Sequence, residues 1–306
     1  MKSPTAIACF LFVILASCNR QAYIFTSFHE PAEEGLRILY SYDGYHWNDT
    51  KTIFLKPLVG NQKVLRDPSM VQGPDGVFHL VWTSSWRGDK GFGYASSKDL
   101  IHWSDQKLIP VMEHEPTTVN VWAPEIHYNA KDKEFLILWS SCIPGRFARG
   151  IEADSNNHRI YMTKTKDFES FSQTKLFFDP GYSVIDAVIA QTKNADPVLV
   201  FKDNTRPHRY LQAAFSNSLL GSYSQPVPGF TASFTEGPSV VKLKKEWLIY
   251  YDAYQQKKYA AASTKDFKTF EDASDRITVP EGHKHGTIVP VSKRFLKKFI
   301  QNIPGS

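Results

Sequence analysis

The chain has 306 residues, 42% of them hydrophobic, 14% aromatic and 22% charged, a globular composition with enough material for one large domain or two small ones. Thirty-six basic residues stand against 31 acidic ones, and the net charge of +5 is spread along the chain. No Lys/Arg run is interleaved with aromatic residues, which excludes a nucleic-acid footprint, and Lys257-Lys258 and Lys297-Lys298 read as solvated surface.

The first residues read as a targeting segment rather than as part of the fold. Lys2 supplies the positive end, and Ala6–Ala16 is an apolar run too short to span a bilayer. The run ends Leu15-Ala16-Ser17-Cys18, which resembles a bacterial lipobox. That resemblance implies cleavage after residue 17, a lipid on Cys18, and export to the periplasm, outer membrane or cell surface. Cys142 is then the lone cysteine of the mature body and cannot form an internal disulfide, so it reads as a buried packing residue.

Beyond the leader the apolar runs are short and β-rich: Tyr23–Thr26, Leu36–Tyr40, Phe78–Trp82, Phe135–Trp139, Val198–Phe201 and Trp247–Tyr251. A polar phrase ending in an aromatic follows most of them. The phrases are Ser41–Trp47, Ser97–Trp103, Thr165–Phe171, Ser216–Tyr223 and Thr264–Phe270. Four keep Ser/Thr-x-Asp with an aromatic four residues after the Asp; the Ser216 phrase has Ser218 where the Asp would stand. An Asp there can bond its own turn backbone, so Asp43, Asp99, Asp167 and Asp266 read as architecture. Five phrases at a spacing of roughly 50–70 residues predict five four-stranded blades, an all-β five-bladed β-propeller. The first phrase follows only two strands, and His285–Val291 is a spare strand with no phrase after it. The C-terminal strand is therefore expected to complete the N-terminal blade and close the ring. Residues 22–295 form the single propeller domain in this reading, and 296–306 a C-terminal tail.

Several strands open on a polar, mostly acidic, residue: Arg66-Asp67-Pro68-Ser69, Trp122-Ala123-Pro124-Glu125, Val184-Ile185-Asp186-Ala187, Thr235-Glu236-Gly237-Pro238 and His285-Gly286-Thr287. In a propeller such openings line one rim of the central channel. Carboxylates crowded there repel when ionised, which raises at least one pKa and leaves a proton donor beside an ionised base. Glycosidic hydrolysis needs that pair.

The ordered set Arg-Asp-Pro-Ser, Trp-Ala-Pro-Glu, Val-Ile-Asp-Ala, Glu-Gly-Pro-Ser and His-Gly-Thr resembles glycoside hydrolase family 43, over about residues 22–295. The resemblance implies inversion at the anomeric carbon, with Asp67 as general base, Glu236 as general acid and Asp186 as the carboxylate that orients and tunes the acid. It implies a terminal arabinofuranoside, xyloside or galactose-type sugar cut from an oligo- or polysaccharide by a monomer. Trp122, Trp86, His285 and Glu125 are the substrate-binding candidates, and Glu125 stands where the family more often has Asp. His285 matches a family histidine that can reach a calcium ion through water; no cofactor is required, and any calcium would be structural. Lys202 and Asp203 are further candidates for facing the site, and the inserts Ile143–His158 and Asp203–Arg209 for shaping it.

Three other readings remain open at this stage. A retaining fructosidase is disfavoured by the missing Trp-Met-Asn-Asp-Pro-Asn opening. A sialidase needs an arginine triad that the strand starts do not offer, and an acidic rim repels an anionic sugar. A non-catalytic glycan-binding propeller keeps aromatics and loses acids, whereas Asp67, Asp186 and Glu236 are all present.

Overall fold

A computed structural model describes residues 21–148, 150–191 and 195–304; Cys18 and the leader lie outside them. Among these residues nineteen strands and one α-helix follow in order, with two single-turn 3-10 helices in the loops. They begin with β1 (Gln21–Ser27), β2 (Leu36–Ser41) and β3 (Asn48–Leu55), then β4 (Arg66–Gln72), β5 (Phe78–Thr83), β6 (Gly91–Ser97) and β7 (Lys107–Pro110). Next come β8 (Trp122–Asn129), β9 (Glu134–Cys142), β10 (His158–Thr165) and β11 (Lys175–Phe178), then β12 (Val184–Ala190), β13 (Val198–Asp203) and β14 (Leu211–Phe215). The chain ends with β15 (Glu236–Leu243), β16 (Glu246–Ala253), β17 (Lys258–Thr264), β18 (Phe270–Asp272), β19 (Ile288–Ser292) and α1 (Lys293–Gln301).

The strands form five antiparallel sheets, β4–β7, β8–β11, β12–β14, β15–β18 and β19-β1-β2-β3, so the molecule is the expected five-bladed β-propeller. We number these blades 1 to 5 in that order. The ring closes as expected: β19 pairs with β1 in the register Gln21 to Ser292 and Phe25 to Ile288, leaving the N-terminal blade no bare inner edge. The inner strands β4, β8, β12, β15 and β19 pack side by side around the channel.

Two details differ from the expectation. Blade 3 has three strands, not four. The segment after β14 still bonds to it through Ser224, Val227 and Phe230 N–H, but Pro226 and Pro228 lack the N–H groups a regular ladder needs. The stretch expected as a tail carries most of a helix. In α1, Ser292 caps the Phe295 N–H, and Leu296 and Phe299 are buried against blades 5 and 1, with Phe299 on the Phe54 ring and Phe295 on Phe78.

The core is divided among the blade interfaces. Five apolar clusters each draw residues from two neighbouring sheets, for example Ile24 and Ile38 with Met70, Leu80 and Trp82. Fully buried Trp82 and Trp139 each bring roughly 2–3 kcal/mol of transfer energy to such an interface. Trp82 lies directly on Gly93, where a Cβ would come within 2.1 Å of the indole. The repeated phrases behave as expected. Asp43, Asp99, Asp167 and Asp266 each accept two backbone N–H bonds from their own turn. The N–H groups of Thr269 and Lys268 hold Asp266 down to about 2.

Candidate active site

All four inner strands that open with an acidic motif share one local device. A left-handed residue sits at the second or third position of each: Asp67 (φ 49°), Ala123 (44°), Asp186 (55°) and Gly237 (61°). Each coincides with a register shift against the second strand, so the mouth of every such strand is bulged. The bulge turns the side chain that would run along the strand into the channel mouth. Three non-glycine residues held at positive φ are strained, and strain of this kind clusters where function fixes a side chain.

The second strand of each blade ends in a polar residue that grips the next blade. Thr26 donates to Pro68 O (2.5 Å). Thr83 accepts the Ala123 N–H (2.8 Å), and Ser140 accepts the Asp186 N–H (3.2 Å). Lys202 donates to Glu236 Oε2 (2.6 Å), and Asp252 accepts from Lys284 Nζ (2.8 Å). The ring is thus laced at its mouth by side chains that also touch the acidic residues.

Asp67, Asp186, Glu125 and His285 gather at the channel centre. His285 Nδ1 lies 3.4 Å from Asp67 Oδ1, and Thr83 Oγ1 donates to Asp67 Oδ2 (2.9 Å). Burial works against the His285 charge, yet Asp67, Asp186 and Glu125 together raise its pKa to about 9, so it is an imidazolium. Burial likewise pushes Asp67 up, but His285, Arg66 and Thr83 outweigh it and hold this carboxyl below its ordinary value. Asp186 goes the other way: burial, with the charges of Glu236 and Asp67, raises it to about 6 against the pull of His285 and Lys202. Burial raises Glu125 to about 7 despite hydrogen bonds from Ser69 and Thr287 and the charge of His285. Four groups of two chemistries thus hold different protonation states in one mouth.

Glu236 is a third exposed and paired with Lys202, which is buried beneath the Tyr254 ring. The adjoining Gly237 N–H donates to Asp186 Oδ2 (3.1 Å), so Asp186 fixes the peptide that carries Glu236. A Cβ on Gly237 would lie 2.6 Å from His285 Cγ, which is why a glycine stands there. Trp122 is half-buried between the Trp86 ring (4.7 Å) and the His158 ring (4.9 Å), and donates to Trp86 O (2.7 Å). It forms wall rather than open platform. Trp86 is 47% exposed, with the Arg66 guanidinium 4.7 Å from its ring.

The calcium expectation meets a poor donor set. Among the described residues no three His, Cys, Asp or Glu groups are spaced to hold a metal ion directly.

Thr83, His158 and Asn120 belong to the site and carried no motif. His158 is buried, neutral with a pKa lowered to about 4 chiefly by burial, and bonded to Asn120 Oδ1 (3.2 Å). For Thr83 the signal was weak but readable: Phe25-Thr26, Trp82-Thr83, Trp139-Ser140, Phe201-Lys202 and Tyr251-Asp252 are one repeated aromatic–polar pair, one per blade, whereas His158 and Asn120 belong to no such pair. Cys142 is buried, and its thiol donates to Asp154 O.

An all-β ring with an acidic mouth of this kind is a propeller suited to carbohydrate chemistry. The chain belongs to the family described as "probable glycosyl hydrolase domain", related to glycoside hydrolase family 43, whose model matches residues 19–296. Among solved structures it is similar to a thermostable family-43 glycoside hydrolase (19% identity, TM-score 0.56, 72% of this chain and 78% of that one). It is also similar to an α-L-arabinofuranosidase from Lactobacillus brevis (15%, 0.54, 69% and 72%). A third is a family-43 β-1,3-galactosidase (13%, 0.53, 72% and 82%). No curated protein matches the chain.

Proposed function

We propose that the chain hydrolyses the glycosidic bond of a terminal sugar, of arabinofuranoside, xyloside or galactose type, with inversion at the anomeric carbon. The observation that carries the proposal is the convergence of Asp67, Asp186 and Glu236 from three inner strands onto one mouth, with Asp67 held below and Asp186 above the ordinary carboxylate value. Asp67, held ionised, takes a proton from water as the water oxygen bonds to the anomeric carbon. The bond to the leaving oxygen breaks, and Glu236 delivers a proton to that oxygen. Lys202 stabilises the carboxylate that Glu236 leaves behind. Asp186 positions Glu236 through the Gly237 N–H and adds negative charge beside the developing oxocarbenium ion. His285 holds Asp67 and offsets the crowding of carboxylates. Trp86 offers an exposed aromatic face to a sugar ring.

The proposal extends to an exported monomer, anchored through lipid on Cys18 and free of any cofactor requirement. The test is hydrolysis of a panel of aryl arabinofuranosides, xylosides, galactosides and galactofuranosides by the native protein and by Asp67→Asn. Turnover of at least one substrate, reduced at least roughly 10²-fold in the variant, is expected. Undiminished turnover in Asp67→Asn would sink the assignment of the base. Oligosaccharide binding without cleavage of any panel member favours a glycan-binding propeller instead.

A further inference from the structure

Beside the acidic mouth, the loops that follow β5, β9 and β13 enclose a second cleft. It has a volume of about 610 Å³ and is lined by Arg87, Arg206 and Arg209 with Glu152, Ser155 and Asn156 among its other walls. Arg87 comes from the blade 1 loop, Arg206 and Arg209 from the blade 3 loop, and Glu152 stands between them on the blade 2 loop, so only the closed ring brings them together. Three guanidiniums face one carboxylate, and that carboxylate is already engaged. Glu152 is buried; its Oε1 accepts the Arg206 N–H (2.8 Å) and its Oε2 accepts from Asn156 (2.7 Å). Arg209 Nη2 stands 3.9 Å from Glu152 Oε2, too far for a hydrogen bond, and Arg209 Nε is buried without a partner. The Arg87 and Arg206 side chains are exposed and make no ion pair among the described residues. Most arginines in the rest of the rim are used: Arg66 pairs with Glu30, and Arg146 with Glu115.

The cleft adjoins the proposed reaction centre. Arg87 follows Trp86, whose ring packs on Trp122. Arg87 and Lys202 both act electrostatically on His158, and Lys202 bonds Glu236. A sugar chain entering the mouth therefore passes two unpaired guanidiniums, Arg87 and Arg206, and a third, Arg209, only loosely paired with Glu152, fork-shaped donors whose geometry matches a carboxylate or a sulfate.

We propose that this cleft is a subsite for an acidic sugar unit, a uronate carboxylate or a sulfate ester carried by the same glycan that is cut at the mouth. The proposal builds on the glycosidase reading and sets its substrate class: an acidic rather than a wholly neutral glycan. It revises the expectation that the rim repels anionic sugars. The strand mouths do carry acids, but the loops of blades 1 and 3 bring arginines to the cleft.

The test separates binding from turnover by using Asp67→Asn protein in titration calorimetry. The probes are matched pairs: oligogalacturonate and its methyl ester, an acidic glucuronoxylan oligomer and its carboxyl-reduced form, and a sulfated galactan oligomer with its desulfated form. At least one acidic member should bind at least ~10-fold more tightly than its neutral partner, and the preference should shrink as salt rises. Which pair responds distinguishes carboxylate from sulfate. The double substitution Arg87→Gln with Arg206→Gln, whose folding is checked by thermal melting, should abolish the preference. Equal affinity within every pair, or a preference that survives the double substitution, would overturn the subsite. If charge-selective binding stands and no glycoside is ever cleaved by the native protein, the hydrolase reading fails alone. If cleavage stands and every pair binds equally, the subsite fails alone.

Discussion

At the channel mouth, one cation and several carboxylates settle each other's charge. His285 has a folded-state pKa of about 9 against an ordinary 6.5. Its contribution to stability is therefore fully present below about pH 6.5 and is lost as pH rises through 9. Asp186 and Glu125 shift in the same direction, although there it is the ionised form that is disfavoured. Their pKa values rise from 3.8 to about 6 and from 4.5 to about 7, so the folded state binds protons more tightly than the unfolded chain. Stability then falls as pH climbs from about 4 through 7, and their ionised forms burden the neutral-pH protein. Glu125→Gln removes one such burden, worth on the order of 2–3 kcal/mol at pH 8. Differential scanning calorimetry should show the variant melting several degrees above native protein at pH 8, with the gap closing by pH 4.5. A gap that is constant across that range contradicts the buried-carboxylate account. The individual identities of Asp67, Asp186 and Glu236 were legible in the sequence because each opens a strand in a repeated context. Their protonation states were not, since these depend on His285 arriving from the far end of the chain.

Strand mouths are where the fold and the site meet. Each bulge sets one left-handed residue, and each aromatic–polar pair at the end of a second strand hooks the next blade. Thr83 serves both purposes, accepting the Ala123 N–H and donating to Asp67 Oδ2. Thr83→Val keeps the shape but leaves a buried N–H unpaired, which costs roughly 1–3 kcal/mol. It also frees one carboxylate oxygen of Asp67, the proposed base. We expect a lower melting temperature and a fall in kcat, with Thr83→Ser restoring both. A variant with unchanged kcat would show that Asp67 needs no such support. Alternation and turn chemistry made the blades readable, including the turn aspartates as architecture. The bulges were hidden because positive φ at Asp67 and Asp186 is imposed by neighbouring blades rather than by local residue preference. The helix α1 was missed for a related reason: its buried face is only Leu296 and Phe299 within a run of lysines, and its stability comes from docking on Phe54 and Phe78.

For the whole molecule, ring closure fixes orientation. β19 begins at the mouth beside His285 and ends at Ser292, opposite Gln21, so the first described residue lies at the end of the channel away from the carboxylates. A lipid on Cys18 would then leave the mouth facing away from the membrane, accessible to glycan. Cys18→Ser is expected to move the protein from the membrane fraction to the soluble one while specific activity on an aryl glycoside stays unchanged; continued membrane attachment would show that another feature anchors it. Long-range pairing of the two chain ends was legible because the strand count left one incomplete blade and one spare strand. The arginine cleft was not, because its three arginines sit on loops of two non-adjacent blades and share no motif.

The central claim is that Asp67 and Glu236 act on opposite faces of one anomeric carbon, which requires inversion. The most direct measurement is proton NMR of the first minutes of hydrolysis of the aryl glycoside turned over fastest. The account requires the inverted anomer to appear first, with the retained one growing only at the rate of spontaneous mutarotation. A retained anomer as the first product would contradict it.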